Sequence, residues 1–167
     1  MLERWAMKLY IMRHGAAEDS AASGRDGDRA LTPSGRERVR DVARALLDAD
    51  EAPHLIFSSP LVRALQTAEI VAATVKTATA VEIRREVAPG GAAMAFIREL
   101  SRKKCKRAML VGHEPDFSDL VARLAGATPA QGMLKAMVVG ISVGDGGETK
   151  LRFILDPKTL AWERPPS

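Results

Sequence analysis

The chain has 167 residues, 25 Lys+Arg against 21 Asp+Glu, a formal net charge of +4 and 46% hydrophobic residues. Those proportions describe one globular domain over residues 1–167, with its core from about residue 8 to residue 155, and exclude disordered or collagen-like chains. No apolar run reaches the ~18 residues that a membrane span requires, and so small a net charge does not by itself indicate a nucleic-acid partner.

Residues 8–12, Lys-Leu-Tyr-Ile-Met, form a short run of strand formers. The segment before it carries Glu3 and Arg4 and lacks an apolar stretch with a small-residue cleavage site. It therefore does not read as a signal peptide, and residues 1–6 read as a dispensable extension or as the product of an upstream start ahead of Met7. Residues 15–31 are small, charged and punctuated by glycine, and are expected to form one long functional or mobile loop. Thr32-Pro33 then offers an N-cap and a first-turn proline. Val39, Val42, Ala43, Leu46 and Leu47 follow at helical spacing, with Arg36, Arg40 and Arg44 on the opposite, solvated face.

The alternation continues along the chain. Residues 54–57 predict a strand, Ser59-Pro60 a cap, and residues 61–75 a helix. A strand over 80–84, a helix over 91–102 and a buried strand over 108–112 come next, and Pro115 opens a helix to about Leu124. Residues 137–143 and 149–155, joined by Gly144-Asp145-Gly146-Gly147, predict a hairpin, and the tail at Pro165-Pro166-Ser167 is expected to fray. The fold class is α/β: a three-layer α/β/α sandwich whose mostly parallel sheet ends in an antiparallel C-terminal hairpin.

In such sheets functional groups gather at the carboxyl ends of strands. Three of these loops carry unusual residues here: Arg13-His14-Gly15, Ser58-Ser59-Pro60 with Arg63 one turn on, and Gly112-His113-Glu114-Pro115. Two guanidiniums, two imidazoles and helix N-termini at one sheet edge suit a tetrahedral dianion such as phosphate. A histidine kept neutral by that positive surrounding can attack phosphorus and carry the phosphoryl group in a two-step transfer.

Other chemistries fit less well. A metal held by His14 and His113 would be repelled by Arg13 and Arg63, and no paired-ligand spacing such as His-x3-His occurs. A cysteine phosphatase needs Cys-x5-Arg, but Val111 stands six residues after Cys105. Cys105, the lone cysteine, reads as a free thiol beside a solvated basic turn and suits a reducing, cytoplasmic setting. Asp26-Gly27-Asp28 hints at an aspartyl nucleophile, yet no hydrophobic strand precedes it. The segment from Gly144 to Gly147 lacks a following helix and does not form a nucleotide loop.

Arg13-His14-Gly15, Ser59-Pro60 with Arg63 and Gln66-Thr67, and Gly112-His113 resemble the histidine phosphatase superfamily, with its phosphoglycerate-mutase-like fold. The stretches from Arg29 to Gly35 and from Ser58 to Thr67, with Gly112-His113-Glu114-Pro115, look most like its SixA branch of bacterial protein-phosphohistidine phosphatases. The resemblance implies that His14 is the nucleophile, that Arg13, Arg63 and His113 complete the phosphate pocket, and that neither metal nor cofactor takes part. It also implies that the second ring nitrogen of His14 donates to a nearby carbonyl. Larger members take a general acid from an insertion after the third strand. Here that segment is short, which leaves Glu86 as the candidate, with Glu18 and Asp19 as rivals.

The implied partners are a phosphorylated protein, such as a histidine-containing phosphotransfer domain, and phosphate ion, with no nucleic acid or membrane. Two alternatives stand beside this reading: a phosphatase for a small phosphate ester, and a phosphate- or phosphoprotein-binding module without turnover. A chain this short leaves little material for a lid, so the site is expected to be open.

Overall fold

Strand β1 (Trp5–Arg13) alternates its side chains between two cores, as the period of two in an extended chain requires. Met7, Leu9 and Ile11 enter one core, and Tyr10 and Met12 enter the other. A computed structural model describes residues 5–166. In it Trp5 and Ala6 already belong to β1, and Trp5 pairs with Gly144. That part of the expected extension is sheet; the rest of it lies outside the described residues.

The remaining elements in chain order are α1 (Pro33–Asp48), β2 (Leu55–Ser58), α2 (Val62–Val75), β3 (Glu82–Ile83), α3 (Ala93–Arg102), β4 (Arg107–Gly112), α4 (Asp116–Ala125), β5 (Val138–Gly144), β6 (Thr149–Leu155) and β7 (Trp162–Glu163). They build a 7-stranded sheet of order β3-β2-β4-β1-β5-β6-β7. The β3-β2-β4-β1 half is parallel and the β5-β6-β7 half antiparallel.

Helices α1 and α2 cover the face that contains Tyr10, Met109 and Val111. Helices α3 and α4 cover the face that contains Leu9, Ile11 and Leu110. Both helix layers follow from amphipathic patterning: Val39, Val42, Ala43 and Leu46 are buried on α1, and Phe117, Leu120, Val121 and Leu124 on α4. Among the described residues, no helix is long and apolar enough to cross a membrane.

Several details depart from the sequence reading. The expected loop over 15–31 contains a 3-10 turn at Asp26–Asp28 and is clamped by a bridge between Ala17 and Leu31. Strand β3 shrinks to two exposed residues at the sheet edge, and the tail contributes a third antiparallel strand, β7. Thr32 caps α1 as expected, its Oγ1 accepting from Gly35 N–H at 2.9 Å. The proposed cap at Ser59-Pro60 differs: Leu61 occupies the N-cap position of α2 without a side-chain cap, and the Ser59 hydroxyl accepts from Leu61 N–H at 3.2 Å while also meeting His113.

Candidate active site

The parallel topology sends β1, β2 and β4 out at one sheet edge, so the loops after them meet. Arg13 ends β1, Arg63 lies in the first turn of α2 just after β2, and His113 follows β4. His14 N–H donates to the Gly112 carbonyl at 3.0 Å, which ties the first loop to the third. The His14 and His113 rings lie with centroids 5.2 Å apart. Two close approaches demand glycine. A Cβ on Gly15 would stand 2.8 Å from Val39 Cγ2 on α1, and one on Gly112 would stand 2.5 Å from the Phe117 ring. These glycines let helices from both faces close on the strand ends.

His14 is 7% exposed, and its Nδ1 lies 2.6 Å from the Gly15 carbonyl oxygen. A carbonyl can only accept, so Nδ1 carries the proton and Nε2 the lone pair. Among the described residues no protein group bonds Nε2. The Gly15 peptide is itself held, because Gly15 N–H donates to Thr67 Oγ1 at 3.0 Å and Thr67 Oγ1 donates to the Arg63 carbonyl at 2.7 Å. One buried hydroxyl therefore couples the loop that carries His14 to the helix that carries Arg63.

The cations are oriented as well. Arg13 donates through NH1 to the Met133 carbonyl at 2.9 Å. Arg63 donates to the Asp26 carbonyl at 3.1 Å and to its Oδ2 at 3.2 Å. His113 Nε2 lies 2.7 Å from Ser59 Oγ. Among the described residues, three buried side-chain polar atoms have no protein partner, and all belong to this site: Arg13 Nε, Arg63 Nε and His113 Nδ1. Orphaned buried polar groups are costly, and an oxyanion supplies acceptors for such donors.

Burial lowers His14 to about 4, helped by His113, Arg63 and Arg13 and opposed by the bond to Gly15. His113 also falls to about 4, chiefly through burial and then through Arg63. Both imidazoles are thus neutral at pH 7, the state a nucleophile needs. Burial lowers Arg13 too.

The structure does not bring every candidate to this place. Glu86 sits in a 3-10 turn (Arg85–Val87), with its carboxylate bonded to Arg84 at 2.9 and 3.2 Å. Arg84 holds it below the usual carboxylate range, so it is ionised and has no proton to give. Glu18 and Asp19 are exposed in the first loop. Asp26, whose sequence context hints at an aspartyl nucleophile, instead stands against Arg63, a position with no signature in the sequence. Burial raises Cys105 despite its basic neighbours, so it is not an activated thiolate. Among the described residues, no three His, Cys, Asp or Glu side chains cluster as metal ligands.

A buried neutral histidine with a fixed tautomer, beside two guanidiniums and a second imidazole, is an arrangement chemically able to accept a phosphoryl group and to bind its oxygens. The chain belongs to the histidine phosphatase superfamily: the model of its branch 1 matches residues 9–90. The chain is 37% identical to an uncharacterized protein of Picosynechococcus over 164 residues, covering 92% of this chain and 99% of that one. It is 28% identical to the phosphohistidine phosphatase SixA of Escherichia coli over 158 residues, covering 92% and 96%. Among solved structures, the protein histidine phosphatase SixA complexed with tungstate superposes with a TM-score of 0.85 at 25% identity, covering 93% of this chain and 100% of that one. The chain is a phosphatase of SixA-like structure.

Proposed function

We propose that this protein removes the phosphoryl group from phosphohistidine on another protein, through a phosphohistidine intermediate on His14. The carrying observation is the His14 tautomer: Nδ1–H is committed to the Gly15 carbonyl, and Nε2 is left unbonded between Arg13, Arg63 and His113. In the first step the Nε2 lone pair forms a P–N bond as the substrate's P–N bond breaks, and the departing imidazole takes the electron pair. In the second step the water oxygen bonds to phosphorus as the P–N bond to His14 breaks; the electron pair returns to Nε2, the water's proton passes to solvent, and phosphate leaves. Arg13, Arg63 and His113 bind the phosphoryl oxygens and stabilise the charge that develops on them.

The state of Glu86, the candidate acid, supports this substrate class. An alkoxide leaving group needs a proton in the transition state, whereas imidazole leaves with far less help. With Glu86 ionised against Arg84, the site favours the easier leaving group. The similarity to SixA supports the same substrate class, with a histidine-containing phosphotransfer domain in the cytoplasm as the kind of partner.

The test compares a phosphohistidine protein with a panel of sugar and nucleotide monophosphates. The phosphohistidine protein is expected to have the highest kcat/KM. A small ester that wins by orders of magnitude would replace this reading with that of a phosphomonoesterase. No turnover of any substrate would leave only a binding module.

A further inference from the structure

Arg13 forms part of a second cavity as well. This cavity has a volume of about 340 Å³, and its polar lining comes from Arg13, Ser34, Arg38, Lys135 and Lys158. These residues come from distant parts of the chain: the end of β1, the first turns of α1, the segment entering β5 and the turn after β6. Arg38 NH1 donates to the Pro157 carbonyl at 3.0 Å, which draws the turn bearing Lys158 toward α1.

No carboxylate lines this cavity. Among the described residues, Arg29, Arg63, Arg84, Lys103, Arg107 and Arg152 all have acidic partners, whereas Arg38, Lys135 and Lys158 form no ion pair. Asp156 lies on the same turn and feels the Lys158 charge without forming an ion pair, and its Oδ1 accepts from the backbone N–H groups of Lys158 and Thr159 at 2.7 and 3.0 Å. The N-terminus of α1, where Ser34 and Gly35 lie, adds its positive dipole end.

We propose that this cavity binds an acidic side chain of the substrate protein, an Asp or Glu carboxylate presented beside the phosphohistidine. The inference rests on the phosphohistidine reading and extends it: Arg13 is the shared wall, so the phosphoryl group on one side and a carboxylate on the other engage neighbouring surfaces. Arg38, Lys135 and Lys158 are exposed. They meet a group carried on a protein surface without a buried channel. Charges so placed act on recognition and encounter more than on the chemical step.

The test uses the full chain, its Lys135→Glu/Lys158→Glu double variant and three substrates. These are a phosphohistidine peptide with Asp and Glu flanks, the same peptide with Asn and Gln, and p-nitrophenyl phosphate. The unmodified chain should favour the acidic peptide by about tenfold in kcat/KM, mainly through KM. The double variant should lose that preference while p-nitrophenyl phosphate turnover stays within about twofold. Peptide turnover without a flank preference, a preference that survives the charge reversal, or equal losses on all three substrates would overturn the subsite. Turnover of p-nitrophenyl phosphate with neither peptide cleaved would instead overturn the phosphohistidine reading beneath it.

Discussion

Thr67→Val removes one hydroxyl and almost no volume, and so isolates the strut beneath the nucleophile. Thr67 is fully buried and accepts from Gly15 N–H while donating to the Arg63 carbonyl. Valine leaves the buried Gly15 N–H without a partner. An unsatisfied buried donor costs about 1–3 kcal/mol. At about 2 kcal/mol, and with about 2–4 °C of Tm lost per kcal/mol in a chain of this size, Tm should fall by about 4–8 °C. The same residue, Gly15, offers the carbonyl that fixes the His14 tautomer, so the nucleophile should also lose its aim. A misplacement well under 1 Å is enough for about a tenfold loss in kcat/KM. Thermal unfolding and steady-state kinetics on one phospho-substrate measure both effects, and Thr67→Ser should recover most of the rate because it keeps the hydroxyl. A valine variant with unchanged Tm and rate, or a serine variant as impaired as valine, would refute the coupling.

Other outcomes follow from the same geometry. His14 and His113 each fall from 6.5 to about 4 in the folded chain. Below pH 6.5 the unfolded chain therefore binds protons that the folded chain does not, and stability should drop as pH falls from about 6.5 toward 4. Denaturant titration of His14→Ala should show a shallower drop over that window; an unchanged slope would contradict the buried, neutral assignment. Asp26→Asn removes a negative charge from Arg63, so orthovanadate should inhibit about two- to fivefold more tightly, as expected for an exposed pair. Weaker inhibition would mean that Asp26 chiefly positions Arg63. Glu86→Gln should leave phosphohistidine turnover within about twofold, because the ionised carboxylate has no proton to donate. A loss confined to ester substrates would restore Glu86 as their acid.

Elements whose evidence lies in local periodicity or capping were legible in the sequence. Thr32, Pro33 and the buried series on α1 specify that helix from neighbouring residues alone, and the structure places it at Pro33–Asp48. The two-residue strand β7 exists because the edge of β6 is there to pair with, so no local pattern announces it, and the strand expected over 80–84 shortens to the two residues of β3 that meet β2. The meeting of Arg13, His14, Arg63 and His113 was readable because strand–helix alternation already places those loops at one edge. Asp26 was not, since its contact with Arg63 spans a loop whose path depends on tertiary packing. Ser59 shows the same limit: serine before proline signals the helix start, where its hydroxyl accepts from Leu61 N–H, but the bond to His113 arriving from β4 has no local signature. The pairing of Glu86 with Arg84 was equally hidden, because it depends on the 3-10 turn that brings the two side chains together.

The central claim is that phosphorus is bonded to His14 during turnover. Rapid acid-free quenching of the protein with 32P-labelled phosphohistidine protein, followed by peptide mapping, tests it directly. The account predicts an acid-labile, base-stable label on the peptide that contains His14, absent in a folded His14→Ala variant that has lost turnover. Full turnover in His14→Ala, or a trapped label on any other residue, would contradict it.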